Sequence, residues 1–238
     1  MALTYENVVD DSILLHFETQ KAFSDFVEEQ TGGGAENAKV DLTKQQITYV
    51  PKFHKREELV VRAHLLASIA TEPHSVMWAW ANEHFAGQTI SRLSERIRGF
   101  GENNGIAELT TGERELGGVD PEQAARQIAA IGCRITGMPA AHIASAGGTV
   151  VVFAVDPAGF ALGQPDAHSF PEVVLGPIHQ GGWVHDTRRA VQGYAQARNI
   201  AHGWAEGFTG IQLNFPQGPV TIDFTPEGGI ADVRAELA

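Results

Sequence analysis

The chain has 238 residues, of which 17 are Lys or Arg and 29 are Asp or Glu, so its formal net charge is −12 at pH 7. No run of basic residues stands out. Nucleic acids and anionic membranes require a basic surface, so neither is an expected partner. An apolar fraction of 43% and a charged fraction of 19% are typical of a soluble globular protein.

Three features of the sequence predict the cellular compartment of the protein. Cys133 is the single cysteine, which excludes an internal disulfide, and it is predicted to be a small buried side chain of a helix. Residues 1–11 lack the basic start and apolar core of a signal peptide. The longest strongly apolar run, residues 150–155, is far too short to span a bilayer. We therefore expect a cytoplasmic protein.

The first predicted elements are one helix and two hairpins. Apolar residues at helical spacing predict an amphipathic helix over 19–30, which Gly32-Gly33-Gly34 ends. Strand-forming residues predict a hairpin over 40–50 that turns near Thr43-Lys44. A second hairpin has its first arm over 58–68, its turn over 71–74 and its second arm over 76–82.

The second arm contains the most distinctive stretch, Ser-Val-Met-Trp-Ala-Trp-Ala-Asn over 75–82. Its residues alternate with period two, and both alternating sets are apolar, which predicts a central strand with both faces covered. Trp78 and Trp80 are expected to be mostly buried on it. Core packing is the favoured interpretation of this pair, and the floor of a ligand pocket is the alternative.

Two further helices are predicted over 88–102 and 120–136. The second has clear signals, with Asp120 as N-cap and Pro121 at the first helical position. Strands then follow over 141–145 and 150–156. This third hairpin repeats the Ala-His and Ala-Ser order of the second one, which suggests an internal duplication with a boundary near 105–120.

The last third begins with a long stretch rich in Pro and Gly, residues 156–182, which predicts a loop. A last helix is predicted from Asp186 or Thr187 to about residue 206, followed by strands over 211–215, 220–224 and 230–237. Helices alternate with hairpins, so the predicted class is α+β, an antiparallel sheet of hairpins with about four helices packed on it. No linker is evident, and we predict a single compact domain over 1–238.

The Trp-Ala-Trp-Ala-Asn stretch, the helix after it and Gly105-Ile106-Ala107-Glu108-Leu109-Thr110-Thr111 together resemble a known pattern. The chain resembles an uncharacterised bacterial family, mainly actinobacterial, with a WAWAN strand, a helix and a GI-x-ELTT segment. The resemblance covers roughly residues 40–155. It implies no activity, cofactor or catalytic residue, since the function of that family is unknown.

No group of residues has the spacing of a known catalytic or metal site. Four histidines of the last third, His168, His179, His185 and His202, have no compact metal-binding spacing and no cysteine support. We therefore expect no metal and no cofactor. The chain also lacks a G-x-S-x-G nucleophile motif.

The 157–185 loop is the predicted place of any ligand site. Residues 176–183 can bring backbone N–H groups and an indole together ahead of a helix N-terminus, which suits an anion. Long loops over a rigid sheet often carry binding residues, so we expect a ligand near His179, Trp183 and His185. The competing interpretation is that the loop covers an exposed sheet edge.

These observations predict a cytoplasmic ligand-binding or protein-interaction protein without an evident catalytic group. Its expected partner is a small molecule, a protein or a second copy of the chain. The alternative is a small-molecule enzyme, hydrolase-like, that uses the histidines of the 157–185 loop. A cleft with a strongly perturbed His or carboxylate would favour the enzyme.

Overall fold

The structure is a computed structural model that describes residues 2–53, 56–179 and 183–236, apart from the side chains of Glu36 and His179. The chain divides into two compact units. The first unit consists of Met1–Tyr5 and Thr19–Leu162, and the second of Glu6–Glu18 and Gly163–Ala238. The first helix, α1 (Tyr5–Thr31), therefore contributes residues to both units.

The first unit is built on a sheet of seven antiparallel strands. These strands are β1 (Ala35–Asp41), β2 (Gln46–Pro51), β3 (Leu59–Ala70), β4 (Ser75–Trp78), β5 (Glu113–Glu115), β6 (Ala140–Ala146) and β7 (Thr149–Asp156). Besides residues 19–31 of α1, its helices are α2 (Arg92–Asn104), α3 (Ala107–Thr110) and α4 (Pro121–Thr136).

Strand β3 is the centre of this sheet. β7 pairs with it over residues 62–70. Because a strand has two edges, β2 and β4 share the other edge, β2 at the start of β3 and β4 at its end. β1 continues the sheet from β2, β5 from β4, and β6 from β7.

The two faces of the sheet pack against different helices. Leu66 of β3 faces α4, since a Cβ atom on Gly132 would collide with its side chain. On the opposite face, Phe23 and Val27 of α1 belong to a buried apolar cluster with residues of β2, β3 and β7. The sheet members of that cluster include Ile47, Tyr49, Val61, Ala63, Leu65, Phe153 and Val155.

The local signals of the first unit place its hairpins and α4 correctly. The predicted hairpins over 40–50, 58–82 and 141–156 correspond to β1–β2, β3–β4 and β6–β7. Helix α4 begins after Asp120, whose carboxylate accepts the backbone N–H groups of Glu122 and Gln123. It ends at Gly137, which has the left-handed φ of 73° that favours glycine.

The Trp stretch forms a shorter strand than predicted. β4 ends at Trp78, which is fully buried and whose indole N–H donates to the carbonyl of Glu108 at 3.0 Å. Trp80 lies beyond the strand in a turn, is half-buried, and has the Arg98 guanidinium 4.8 Å from its ring centre. The prediction is confirmed for Trp78 and wrong for Trp80. Period-two alternation does not mark where the strand ends, because a turn packed on a helix uses the same apolar residues.

The first predicted helix is much longer than the sequence pattern indicates. α1 begins at Tyr5 rather than near residue 19. Its added turns bury Val8, Val9, Ile13 and Leu14. Polar side chains such as Asp10 and Ser12 are buried among them, so the apolar periodicity that predicts a helix is interrupted there.

The second unit combines three helical segments with a four-stranded antiparallel sheet. The segments are residues 6–18 of α1, α5 (Phe170–His179) and α6 (Thr187–Ala197). The strands lie in the order β11-β10-β9-β8, and they are β8 (Ala201–Trp204), β9 (Gly210–Phe215), β10 (Gly218–Phe224) and β11 (Ile230–Ala235). Phe170 stacks on Tyr194 and also contacts Phe215, so α5, α6 and β9 share one core.

Two predictions about this unit are wrong. The 157–185 stretch is not one loop, because α5 occupies 170–179 and buries Phe170, Val173 and Val174 on one side despite Pro177. The last helix ends at Ala197 rather than near 206. Asn199, which has a left-handed φ of 53°, follows its end, and residues 201–204 pair with β9.

The predicted α+β class with antiparallel sheet is confirmed. Within the described residues there are six α-helices and eleven strands, in two sheets rather than one. The single compact domain over 1–238 and the internal duplication stay predictions. The strand positions lend the duplication no support, since β3 lies inside the sheet while β6, its counterpart in the third hairpin, lies at the edge. None of the described helices combines the length and apolar character needed to cross a bilayer.

Candidate functional site

The face of the first unit's sheet that packs on α1 extends beyond the helix. The strand register places Leu65 of β3 and His142 of β6 on either side of Phe153 of β7. One step further along, Ser68 and Ala144 flank Val151 in the same way. α1 covers the part of this face around Phe23 and Val27, and the sheet continues past it.

An apolar pocket of about 260 Å³ lies on this continuation. It is lined by Val40, Leu42, Leu65, Ser68, Ala79, Asn82, Phe85, Ala144, Ala146, Val151 and Phe153. Ser68 and Asn82 are the polar side chains of this lining. The Trp stretch supplies Ala79 and Asn82, so the alternative interpretation of that stretch as pocket lining applies to these two residues rather than to its Trp pair.

The rim of the pocket exposes apolar side chains at the end of β1 and just after it. Val40 is 38% exposed and Leu42 is 41% exposed, and both line the pocket. Single exposed apolar residues are ordinary on a protein surface. Two of them at the mouth of an apolar hollow form a continuous apolar surface, which is typical of binding sites.

Tyr49 and His142 form a neutral pair beside this pocket. The Tyr49 hydroxyl lies 3.0 Å from Nδ1 of His142, and the two rings meet edge to face. Burial raises the pKa of the Tyr49 hydroxyl and lowers the pKa of the His142 imidazole. Both groups are therefore uncharged at neutral pH, and the hydroxyl donates to Nδ1 when the imidazole proton is on Nε2.

A second hollow of about 620 Å³ lies on the other side of this pair. Its lining comes from α1, β6 and the start of α4, and it includes Gln20, Glu28, Glu122 and Arg126. Tyr49 and His142 also contribute to it. The hollow is thus more polar than the apolar pocket and lies along the edge of the sheet.

The residues predicted for a ligand site belong to the second unit. His179 ends α5, and its side chain lies outside the described part of the structure, as do residues 180–182. Trp183 is half-buried and His185 is exposed, and both precede α6. The structure therefore places Trp183 and His185 in one short segment, and describes no position for the side chain of His179.

His185 has a partner that the sequence does not indicate. Its backbone N–H donates to one carboxylate oxygen of Asp10 at 2.8 Å, and the N–H of Asp186 donates to the other at 2.9 Å. The His185 Nδ1 atom is 3.4 Å from the Asp10 carboxylate. Burial raises the pKa of Asp10, against the lowering effect of its two backbone hydrogen bonds.

Two ion pairs hold residues 6–18 of α1 to α6 and the residue that follows it. Arg189 contacts Asp11 at 2.6 Å, and Arg198 contacts Glu18 at 3.1 Å. Burial also raises the pKa of Glu18. Each carboxylate has a positively charged partner, so these groups are explained by packing within the unit.

Cys133 is a structural side chain. Its thiol donates to the carbonyl of Ala140 at 3.3 Å, and burial raises its pKa to about 12. A thiol with so high a pKa is not a nucleophile at neutral pH. Among the described residues, no three His, Cys, Asp or Glu side chains come together in a group that could hold a metal ion. The absence of a metal stays an expectation.

Comparison with known proteins identifies one match. The model of a family of unknown function, DUF6882, matches residues 6–158. No curated protein and no solved structure matches the chain. All residues that line the apolar pocket fall within the matched range, whereas Trp183 and His185 lie beyond it.

Proposed function

The chain belongs to DUF6882, a family of unknown function, and we propose that it binds a small, largely apolar molecule in the pocket beside Tyr49 and His142. The pocket with its exposed apolar rim is the observation that supports this proposal. Apolar surface left accessible to water is unfavourable by about 25 cal/mol per Å². A molecule that covers Val40 and Leu42 removes that cost and gains affinity.

The size and the polar groups of the pocket define the class of ligand. An engineered apolar cavity of about 150 Å³ binds benzene, so the present volume of about 260 Å³ takes a larger group. Ser68 and Asn82 suit a ligand with one hydrogen-bonding group, such as an alcohol or an amide. Tyr49 and His142 are neutral, and none of the described side chains that line the pocket is basic, so a charged ligand is disfavoured.

The experiment measures binding of the neutral dye Nile red to the purified full chain, and its displacement by n-octanol and n-octanamide. Val40→Asp puts a charge at the rim, and Ala144→Phe fills the pocket. Both variants are expected to weaken dye binding by about tenfold or more, because one buries an unpaired charge and the other removes the space. Ser68→Ala is expected to weaken octanol binding by about threefold to tenfold through one lost hydrogen bond.

Val60 offers a matched control. It is also an exposed strand valine of the first unit, at 48% exposure, but it does not line the pocket. Val60→Asp should change the dye affinity by less than about twofold relative to wild type. This change is smaller than the effect of losing one hydrogen bond. Equal dye binding by wild type, Val40→Asp and Ala144→Phe, with unchanged circular dichroism, would remove the pocket from consideration.

The second candidate is a small-molecule enzyme, hydrolase-like, that uses the histidines of the 157–185 stretch, with His185 as the one whose contacts are described. The contact between Asp10 and His185 Nδ1 supports this reading, because a buried carboxylate can orient an imidazole as a general base. It predicts that His185→Ala abolishes hydrolysis of a panel of p-nitrophenyl esters and phosphates by the full chain. His202→Ala is the control, since His202 is a histidine of the same unit that lies outside the 157–185 stretch. If wild type and His185→Ala do not differ from buffer, the enzyme hypothesis fails.

A further inference from the structure

The outer edge of β6 carries backbone groups without a partner strand. Within the described residues β6 pairs with β7 and with no other strand. Near its start, the side-chain amide of Gln20 replaces a neighbouring strand. Its Nε2 donates to the carbonyl of Ala141 at 3.1 Å, and its Oε1 accepts the Ala141 N–H at 3.0 Å.

This side-chain pairing establishes which residues of β6 point outward. In an antiparallel pair, alternate residues direct both N–H and C=O away from the partner strand. Ala141 does so toward Gln20, and the register with β7 is regular along the whole of β6. Ile143 and Ser145 therefore also direct their N–H and C=O groups outward. These four groups take no part in the pairing with β7.

A groove runs along this edge. The hollow of about 620 Å³ and a neighbouring one of about 480 Å³ both include Ser145 and Glu122 in their lining. Residues of α1 and the start of α4 form the walls of the groove, with Ile143 and Ser145 between them. Its outward backbone groups match an extended peptide, and each of its two hollows has a larger volume than the apolar pocket.

We propose that the groove binds an extended peptide segment of a partner protein, which pairs with Ile143 and Ser145 and adds a strand to β6. Addition of a strand to an exposed edge beside a helix is an established mode of peptide recognition. Glu28, Asp120 and Glu122 against Arg126 give the lining a net negative charge, which favours a peptide with basic side chains. This site is separate from the apolar pocket and does not depend on the proposed function.

The same geometry disfavours a second copy of the chain as occupant. The free part of the edge covers only residues 143–146, since Gln20 occupies Ala141. Each copy would have to insert this short edge between the helical walls of the other. An extended peptide has no such walls and reaches the edge directly.

The experiment selects seven-residue peptides from a display library on the full chain and measures their affinity by fluorescence anisotropy. Ile143→Pro removes one outward N–H and no bond to β7, so the strand tolerates it. We expect this variant to weaken the selected peptides by about tenfold, and Ser145→Pro to act similarly. Methylation of alternate backbone nitrogens of the peptide should have the same effect, because it removes the matching donors.

Amide exchange measured by NMR gives a readout that does not depend on a variant. The amides of Ile143 and Ser145 should exchange rapidly in the free chain and slowly with a selected peptide bound, while those of His142 and Ala144 stay slow throughout. Val40→Asp should keep peptide binding, and Ile143→Pro should keep Nile red binding, so failure of either proposal is recognised separately. Peptides that bind without protecting Ile143 and Ser145, or a dimer that Ile143→Pro dissociates, would overturn the proposal.

Discussion

Trp78 and Trp80 are neighbours in the sequence pattern but have different environments. The Trp78 ring is fully buried and its N–H is bonded, whereas Trp80 is half-buried beside Arg98. Trp78→Ala should lower the free energy of unfolding of the first unit by about 3–5 kcal/mol, because it leaves a large cavity. Trp80→Ala should cost less than half as much. Urea denaturation followed by far-UV circular dichroism measures both, and equal losses would contradict the placement of Trp80 in a turn.

Asp10 shows how a single residue can organise a segment far away in sequence. Its two oxygens accept the N–H groups of His185 and Asp186, just ahead of α6. A carboxylate is favourable at this end of a helix, where unpaired N–H groups and the helix dipole are positive. The same contact also supports the enzyme hypothesis. Because these hydrogen bonds already give Asp10 a structural role, a catalytic role would be an additional one.

At the scale of the helices, two glycines with the same local propensity have opposite surroundings. Gly99 of α2 has open space where a Cβ would be, whereas a Cβ on Gly193 of α6 would lie 2.6 Å from the Asp11 backbone. Gly99→Ala should raise the free energy of unfolding by about 0.5–1 kcal/mol, since alanine favours a helix. Gly193→Ala should lower it by about 1–3 kcal/mol, because two helical segments must separate.

Thermal and urea unfolding of the two alanine variants measure this difference. Both positions lie inside helices, so propensity alone predicts stabilisation at each of them. A stabilising Gly193→Ala would show that residues 6–18 of α1 and α6 are less closely packed than the structure indicates.

For the whole molecule, the residue range of the family match differs from the boundaries of the two compact units. The DUF6882 match ends at residue 158, close to the end of the first unit at Leu162, but it also includes residues 6–18, which belong to the second unit. Both proposed binding sites of the first unit lie within the match. The second unit's sheet, α5 and α6 lie outside it. The His185 hypothesis, in contrast, combines His185, which lies outside the match, with Asp10, which lies inside it.

The sequence by itself determines the elements with strong local signals. The hairpins, the α+β class and α4 from Pro121 to Thr136 follow from period-two alternation, glycine turns and an Asp-Pro helix start, and these signals act within a few residues. Local signals fail where burial is mixed with polar residues, as in the first half of α1. They also fail where core contacts override a helix-breaking residue, as at Pro177 of α5.

The tertiary structure alone decides where the sites are. The apolar pocket joins residues from Val40 to Phe153, and Asp10 meets His185 across 175 positions of the chain. Strand β7 pairs with β6 along one edge and with β3 along the other. This pairing makes β6 the outer strand, with one edge left unpaired by any described strand. Such contacts depend on which strands are neighbours in the sheet. Sequence periodicity reports only on residues a few positions apart, so it does not predict contacts between distant residues.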